Sequence, residues 1–511
     1  MAALHSTPNA STSGNPLLVW DRLEIGPVKV EPRRLIAPYR LFYNGKEFKT
    51  DLIYTYEETV FEPGSLASQN LADMIGAQLA LNYGLFCKQM IFHGTYDVHD
   101  QRFLIEMAEN TSKEIYVKKI LEPNFFLIGE AAHLRLKPEI KDRYLTAALL
   151  FPDSDRYKQE KTESWQTDTA RHCILSSGGK DSLLSYAVIN EIGYETFPFY
   201  VNESGRHWFT ALNAYRHFND HIPNTGRVWT NCDRVFVWMK RHMPFIRQDF
   251  ARFRADEYPV RLWTVAVFLF GVLPLMRKYR IGRLLIGDEY DTTRVSSYEG
   301  IPHYDGLFDQ SRYFDNQLSH YYQHKQWNIH QFSILRPVSE IMIQKILAER
   351  YPHLHMHQVS CHAAHHENGR ENRRILPCGQ CEKCRRIIGM LKAFGVPPSR
   401  CGYNESQVPS AIEGIVTRGI NQESAGHNHI IHMLHQKGLV PFSLLAEGKT
   451  QPHPEVMRLR FDPECSPMNE IPEDLRSSIY RIYLEHAEGA LERIGKEWKE
   501  KEFASGGSEP F

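Results

Sequence analysis

One short glycine-rich segment constrains the fold of this 511-residue chain more than any other feature. An apolar run at residues 173–176 leads into the sequence Ser177-Gly178-Gly179-Lys180-Asp181-Ser182, and apolar residues at helical spacing follow it. Two adjacent glycines let the backbone approach an anion without interference from a Cβ atom. The free N–H groups at the start of a helix favour a bound phosphate. The segment therefore predicts a strand, a phosphate-binding loop and a helix in succession.

The residue types of this loop indicate which groups act on the phosphates. Only two adjacent glycines precede Lys180, so the spacing excludes the G-x-x-x-x-G-K-[ST] loop of kinases and GTPases. We expect Lys180 to neutralise a leaving group, and Asp181 and Ser182 to hold a magnesium ion or to orient the phosphates. The alternative, a tight turn with a capping serine, is disfavoured by the intact Gly-Gly-Lys-Asp-Ser sequence. The candidate nucleotide-binding residues are Ser177, Gly178, Gly179, Lys180, Asp181 and Ser182, with Lys180 and Asp181 also as catalytic candidates.

Strands alternate with helices after residue 172, which predicts an α/β fold with a parallel sheet covered by helices on both faces. Further strands are expected at residues 195–201, 227–230, 283–287 and 332–335, and a helix at 339–350. The pattern divides the chain into a disordered tail at 1–17, an N-terminal α+β domain at 18–152, a linker at 153–171, the loop-bearing domain at 172–403, a helical C-terminal extension at 404–503 and a disordered tail at 504–511. Within the extension, residues 474–501 are expected to form an amphipathic helix.

The composition limits the partners and the compartment of the protein. A formal net charge of −1 gives no overall electrostatic attraction to nucleic acid or to a membrane surface. The longest apolar run, residues 262–276, is shorter than the roughly 20 residues that a membrane-spanning helix needs, so we expect a buried helix there. Nine cysteines, several of them clustered, suit a metal site in the reducing cytoplasm better than a disulfide framework.

Four cysteines have the spacing of a metal centre. Cys378, Cys381 and Cys384 form a C-x-x-C-x-x-C sequence, and Cys361 lies upstream. Four soft thiolates suit tetrahedral Zn²⁺, and such a closed site is structural. An iron–sulfur cluster is the alternative, but the proline that follows the last cysteine of ferredoxin motifs is replaced here by Arg385. We therefore expect zinc bound by all four cysteines.

Two carboxylates are expected at the end of another strand. Asp288 and Glu289 follow the apolar residues 284–286, and open α/β sheets bind ligands at the carboxyl ends of their strands. Either side chain is a candidate to contact magnesium, to bind an amine or to act as a base. A solvated acidic turn is an equally weighted alternative. Arg336 is a candidate for binding a carboxylate or phosphate, with an ordinary surface salt bridge as its alternative.

The loop resembles the SGGxDS loop of the N-type ATP pyrophosphatases, the PP-loop family, which split ATP into AMP and pyrophosphate. Together with Cys361 in a Ser-Cys-His sequence and the later CGxCxxC cluster, it resembles the 7-cyano-7-deazaguanine synthase branch over residues 172–400. The resemblance implies a sheet like that of the adenine nucleotide alpha hydrolases. It also implies ATP, Mg²⁺ and Zn²⁺ as cofactors, and adenylation of a small-molecule carboxylate with release of pyrophosphate.

The residues between the two motifs resemble a second family, the UDP-N-acetylmuramoyl-L-alanyl-L-glutamate epimerases. The matching positions are 287–290, 298–300, 303, 310–311 and 335–341. Members of that family adenylate a terminal glutamate, which makes its Cα proton removable. This chain departs from the family in the Ser-Ser-Gly-Gly start of its loop and in its long C-terminal extension. The resemblance therefore leaves the substrate and the second step open.

Two other hypotheses stay open. A tRNA-modifying PP-loop enzyme, such as a sulfur transferase or a lysidine synthetase, predicts a basic face, which the neutral composition does not favour. A zinc-stabilised module that binds nucleotide without turnover is disfavoured by the intact lysine, aspartate and serine of the loop. A small-molecule carboxylate is the expected partner, and nucleic acid is not.

Overall fold

A large mixed sheet forms the centre of the protein in the computed structural model. The structure describes residues 15–154, 163–205, 207–253, 259–361, 363–367, 374–440 and 451–503. The strands in these residues are β1 Trp20–Ile25, β2 Lys29–Glu31, β3 Arg34–Tyr43, β4 Lys46–Tyr56, β5 Cys87–Phe92, β6 Ala148–Leu150, β7 Asp168–Ser176, β8 Glu195–Asn202, β9 Gly226–Thr230, β10 Ile281–Leu285, β11 Val295–Tyr298, β12 Ile301–Tyr304, β13 His330–Phe332, β14 His365–His366, β15 Ile375–Leu376, β16 Leu459–Phe461, β17 Ala490–Ile494 and β18 Glu497–Glu500. The helices are α1 Leu66–Gln78, α2 Val98–Ile115, α3 Lys180–Glu191, α4 His207–His221, α5 Cys232–Arg241, α6 Val265–Tyr279, α7 Arg312–His324, α8 Glu340–Arg350, α9 Pro352–His355, α10 Glu382–Phe394, α11 Val408–Arg418, α12 Ser424–Gln436 and α13 Glu473–Leu484.

One half of the central sheet is parallel and carries the glycine-rich loop. The strands β13, β10, β7, β8 and β9 lie side by side in that order, and each neighbouring pair is parallel. Successive residues of a strand point to opposite faces, so Cys173 packs into one core and Ile174 into the other. Helix α6 belongs to the first core, and α3 and α8 belong to the second. The predicted α/β class is confirmed, with helices on both faces of this half.

The other half of the sheet comes from the N-terminal segment, for which a separate α+β domain was expected, so the sheet as a whole is mixed. β9 pairs antiparallel with β4, and the order continues through β3, β1, β5 and β6, with β2 paired to β3. Leu52, Tyr54 and Tyr56 of β4 are buried, and Tyr54 lies opposite Thr230 of β9. This pairing covers a strand edge that would otherwise be open. The two halves therefore share one continuous sheet.

Most predicted elements of the loop-bearing segment are found near their expected positions. The predicted strands correspond to β8, β9, β10 and β13, the predicted helix at 339–350 corresponds to α8, and the apolar run at 262–276 forms the buried helix α6. β7 begins at Asp168, inside the stretch interpreted as a linker. Residues 155–162 of that stretch, residues 1–14 and the tail at 504–511 lie outside the described residues. No helix in the described part of the chain has the length and apolar character needed to cross a bilayer.

The prediction of a wholly helical C-terminal extension is wrong. Helix α13 ends at Leu484, and β17 and β18 lie where residues 474–501 were expected to continue as one helix. Together with β16, which precedes α13, they form a small separate sheet. Gly489 and Gly495 have φ angles of +93° and +66°. Gly489 directly precedes β17, and Gly495 lies in the turn that leads β17 back to β18, where Ile494 pairs with Glu497.

Candidate functional site

The glycine-rich loop connects β7 to α3 and leaves the start of that helix open. Gly178 has a φ of +72°, and a Cβ atom there would lie 2.7 Å from the Cα atom of Ala211 in α4. Only glycine fits this position without strain. Gly179 is the N-cap residue of α3, and no side chain caps the helix there. The first N–H groups of α3 are therefore arranged as at helix N-termini that bind anions.

Ser182, the last residue of the loop motif, is turned inward. It is 3% exposed, and its hydroxyl donates a hydrogen bond to the carbonyl oxygen of Gly179 at 3.2 Å. The hydroxyl of Ser176 lies 3.4 Å from it. Ser182 thus holds the shape of the loop from behind, while Ser177 and Gly179 line a cavity on the open side.

Lys180 lies at the centre of a carboxylate cluster. Its Nζ atom lies 2.7 Å from Asp181 Oδ1, 3.3 Å from Glu289 Oε2 and 3.2 Å from Glu340 Oε1. Burial alone would lower the pKa of Lys180, but these carboxylates raise it above its ordinary value. Lys180 is therefore a fixed cation at the entrance to α3.

The three carboxylates come from three neighbouring strand ends. Asp181 follows β7, Glu289 follows β10, and Glu340 begins α8 after β13. The carboxyl ends of these parallel strands meet at one edge of the sheet, where open α/β sheets bind ligands. Gly287 permits the close approach, since a Cβ atom there would lie 2.6 Å from Cβ of Asp181. Sequence reasoning missed Glu340, although its position between a predicted strand and a helix capped by Ser339 was a usable signal.

Asp288, the neighbouring candidate, lies in the core. It is 1% exposed, and its Oδ2 atom lies 3.4 Å from Nη2 of Arg336, which also contacts Asp315 at 2.7 Å. Burial raises the pKa values of Asp288 and Glu289 well above their ordinary range, and the cations Arg336 and Lys180 oppose that rise. Arg336 is fully buried, so it binds Asp288 and Asp315 rather than a ligand. The structure places Glu289, but not Asp288, against Lys180.

A cavity of about 500 Å³ opens beside the loop. Four loop residues, Ser177, Gly179, Lys180 and Asp181, form part of its wall, and Cys361 forms part of another. The cationic side chains among its described lining residues are Lys119, Lys180, Arg261, Lys383 and Arg386, and the carboxylates are Asp181 and Glu340. A concave site with this excess of positive charge suits an anionic ligand such as a nucleotide.

The four predicted cysteines converge. Their sulfur atoms all lie within 4.8 Å of one another, with separations of 3.5 Å between Cys381 and Cys384, and 3.8 Å between Cys378 and Cys384. Four sulfurs at about 2.3 Å from one tetrahedral zinc ion would lie about 3.8 Å apart. A four-iron cluster binds each cysteine through a different iron and would hold the sulfurs farther apart. The donor set therefore fits a single zinc ion, bound by Cys361 together with the three cysteines around the start of α10.

Comparison with known proteins gives a local similarity. The chain is 38% identical over 60 residues to the 7-cyano-7-deazaguanine synthase of Chlorobium luteolum, and equally to that of Chlorobium phaeobacteroides. The match covers 12% of this chain and 26% of each synthase, so the chain spans about a quarter of the length of these relatives. No protein-family model matches the chain. No solved structure matches it significantly.

Proposed function

We propose that this protein is a PP-loop enzyme that uses ATP to adenylate a small-molecule carboxylate, forming an acyl adenylate and pyrophosphate. The observation that carries the proposal is the position of Lys180, a buried cation fixed at an open helix start and facing a cavity lined by cations. The parallel half of the sheet, compatible with an adenine nucleotide alpha hydrolase-like fold, supports the proposal. The local similarity to 7-cyano-7-deazaguanine synthases supports it too.

In the proposed reaction, an oxygen of the substrate carboxylate attacks the α-phosphorus of ATP. A carboxylate–phosphorus bond forms, the bond from the α-phosphorus to the oxygen that bridges to the β-phosphorus breaks, and pyrophosphate leaves with that electron pair. The backbone at residues 177–180 binds the phosphates, and Lys180 offsets the charge that develops on pyrophosphate. Because carboxylates already fix Lys180 in place, little reorganisation accompanies the step.

Magnesium enters this site together with ATP in our proposal. Mg²⁺ keeps several waters and is usually bound by one or two carboxylates and by substrate phosphates. Asp181 is the best-placed carboxylate, because its side chain is 30% exposed, whereas those of Glu289 and Glu340 are 17% and 5% exposed. A zinc ion at the four cysteines would cross-link the segment of Cys361 to the start of α10.

The step that follows adenylation differs between the two families that the motifs resemble. An epimerase-like reaction needs a base close to the Cα proton beside the activated carboxyl group, and Glu289 is our candidate. Burial raises the pKa of Glu289, which favours uptake of a proton by its carboxylate. A synthase-like reaction would instead pass the activated acyl group to a nucleophile. The role of Glu289 would then be limited to its ion pair with Lys180.

The proposal is tested by measuring acceptor-dependent release of pyrophosphate from ATP. We expect release in the presence of a suitable carboxylate and a loss of about 100-fold or more in Lys180→Ala, since removal of a group that stabilises developing charge costs 10²–10³ in rate. Lys392→Ala is the matched control, because Lys392 lies on α10 beside the exposed Glu405. ATP binding without pyrophosphate release for any carboxylate would contradict the proposal and favour a nucleotide-binding module.

A further inference from the structure

One buried carboxylate ties the glycine-rich loop to the cysteine-bearing helix. The Glu340 side chain is 5% exposed, and its two oxygens are shared between two cations. Oε1 lies 3.2 Å from Nζ of Lys180, and Oε2 lies 3.3 Å from Nη1 of Arg386. Lys180 begins α3 and Arg386 belongs to α10. A single side chain therefore brings together two cations that are distant in sequence.

Arg386 is positioned by the segment that carries the metal ligands. Helix α10 has Cys381 as its N-cap residue and contains Cys384, and Arg386 follows in the same turn. A second carboxylate, that of Glu382 on α10 itself, lies 3.8 Å from Nε of Arg386. The Arg386 side chain is 18% exposed and lines the same cavity as Lys180. Both cations of the Glu340 bridge therefore face the space beside the glycine-rich loop.

We infer that Lys180 and Arg386 form a two-cation clamp for the pyrophosphate part of ATP, with Glu340 as the positioning residue between them. The inference rests on the proposed function in taking ATP as the ligand of this cavity. A guanidinium group binds phosphate oxygens in pairs, whereas an ammonium group acts as a point charge. Two such cations spread along a diphosphate match its charge better than Lys180 alone. The cysteine cluster would then contribute to nucleotide binding through the helix that it anchors.

The test is calorimetric titration of the full-length protein with magnesium pyrophosphate, ATP and AMP. Arg386→Met is expected to weaken binding of pyrophosphate and ATP by about 10- to 100-fold, the range for losing hydrogen bonds to a charged group. Binding of AMP, which lacks the diphosphate, should change little. Arg386→Lys should recover part of the loss, and Lys392→Ala, elsewhere on the same helix, should behave as wild type. Zinc content and melting temperature are measured for each variant.

The outcomes separate this inference from the proposed function. Unchanged pyrophosphate affinity in Arg386→Met would overturn the clamp, even if the wild type releases pyrophosphate with a carboxylate acceptor. Equal losses of pyrophosphate, AMP and zinc binding in Arg386→Met would show that Arg386 is needed for folding, and they would also overturn the clamp. A selective loss of pyrophosphate affinity in a protein that never releases pyrophosphate would support the clamp and refute the proposed enzyme. A wild type that binds neither ATP nor pyrophosphate would refute both.

Discussion

Adding one methyl group to either of the two adjacent glycines of the loop should change a different property of the protein. Alanine at position 178 should lower the stability, and alanine at position 179 should lower the affinity for ATP. Gly178 has a left-handed backbone, and its Cβ would meet the backbone of α4, 2.7 Å from the Cα atom of Ala211. Gly179 has ordinary extended angles, φ −84° and ψ 171°, and the nearest atom to its Cβ would be Oγ of Ser177 at 3.4 Å. Gly178 is therefore required by the fold, whereas Gly179 leaves space for a ligand.

For Gly178→Ala, the expected loss of stability follows from two terms. A left-handed conformation costs a residue with a Cβ about 1–2 kcal/mol. An overpacked contact with backbone costs about 1–3 kcal/mol more. The variant should thus unfold at lower denaturant concentration, with a loss of about 2–5 kcal/mol. For Gly179→Ala, alanine restricts the unfolded chain by about 0.4–1 kcal/mol, but it is a poorer N-cap residue than glycine, so we expect stability close to that of the wild type.

ATP binding gives the complementary measurement. The methyl group of Gly179→Ala would occupy the space that the phosphates need beside the N–H groups of α3, so the affinity for ATP should fall by at least about 10-fold, or 1.4 kcal/mol. Denaturant titration and calorimetric ATP titration of both variants check the pair. Wild-type ATP affinity in a stable Gly179→Ala protein would refute the placement of the phosphates on this loop. Wild-type stability of Gly178→Ala would refute the contact with α4.

Three further variants test other parts of the structure. Cys381→Ser should reduce zinc from one ion per chain to almost none by elemental analysis and lower the melting temperature, and bound iron in the wild type would contradict the single-ion site. Arg336→Met should cost about 3–5 kcal/mol in denaturant unfolding, because Asp288 and Asp315 would stay buried without a cation, and a neutral result would contradict that ion pair. Burial raises the pKa of Glu203 from 4.5 to about 7, so the native state binds the extra proton between these pH values and wild-type stability falls as pH rises through them. The side chain in Glu203→Gln does not titrate, so its free energy of unfolding should rise relative to that of the wild type from pH 4.5 to 7, by about 3 kcal/mol, and the difference should then stay constant. A difference that does not depend on pH would contradict the raised pKa of Glu203.

The parts of the site that the sequence predicts are those built from neighbouring residues. The loop at 177–182 and the three cysteines at 378–384 are local motifs, because a helix start and a metal-binding turn each need residues at fixed short spacing. Glu289 was expected at a strand end and lies there beside Lys180. The loop and the turn of the three cysteines depend on backbone geometry that one segment determines alone.

The parts that sequence reasoning missed depend on contacts between distant segments. Nothing near the loop indicates that Glu340 and Arg386 approach Lys180, because the order of strands in a sheet decides which strand ends meet. The pairing of β4 with β9 was missed for the same reason. Asp288 and Glu289 are adjacent in sequence, yet Asp288 lies in the core against Arg336 and Glu289 lies against Lys180. Both follow the end of β10, so the strand pattern alone does not assign them to different surroundings.

The most direct test of carboxylate adenylation is the transfer of oxygen from the acceptor to AMP. A carboxylate that supports pyrophosphate release is labelled with ¹⁸O, and the AMP formed with it is examined by mass spectrometry or ³¹P NMR. Attack of the carboxylate on the α-phosphorus leaves one labelled oxygen in AMP once the acyl group has been displaced at its carbonyl carbon. We predict AMP with one ¹⁸O together with unlabelled pyrophosphate. Unlabelled AMP, or ADP and labelled phosphate, would contradict the account.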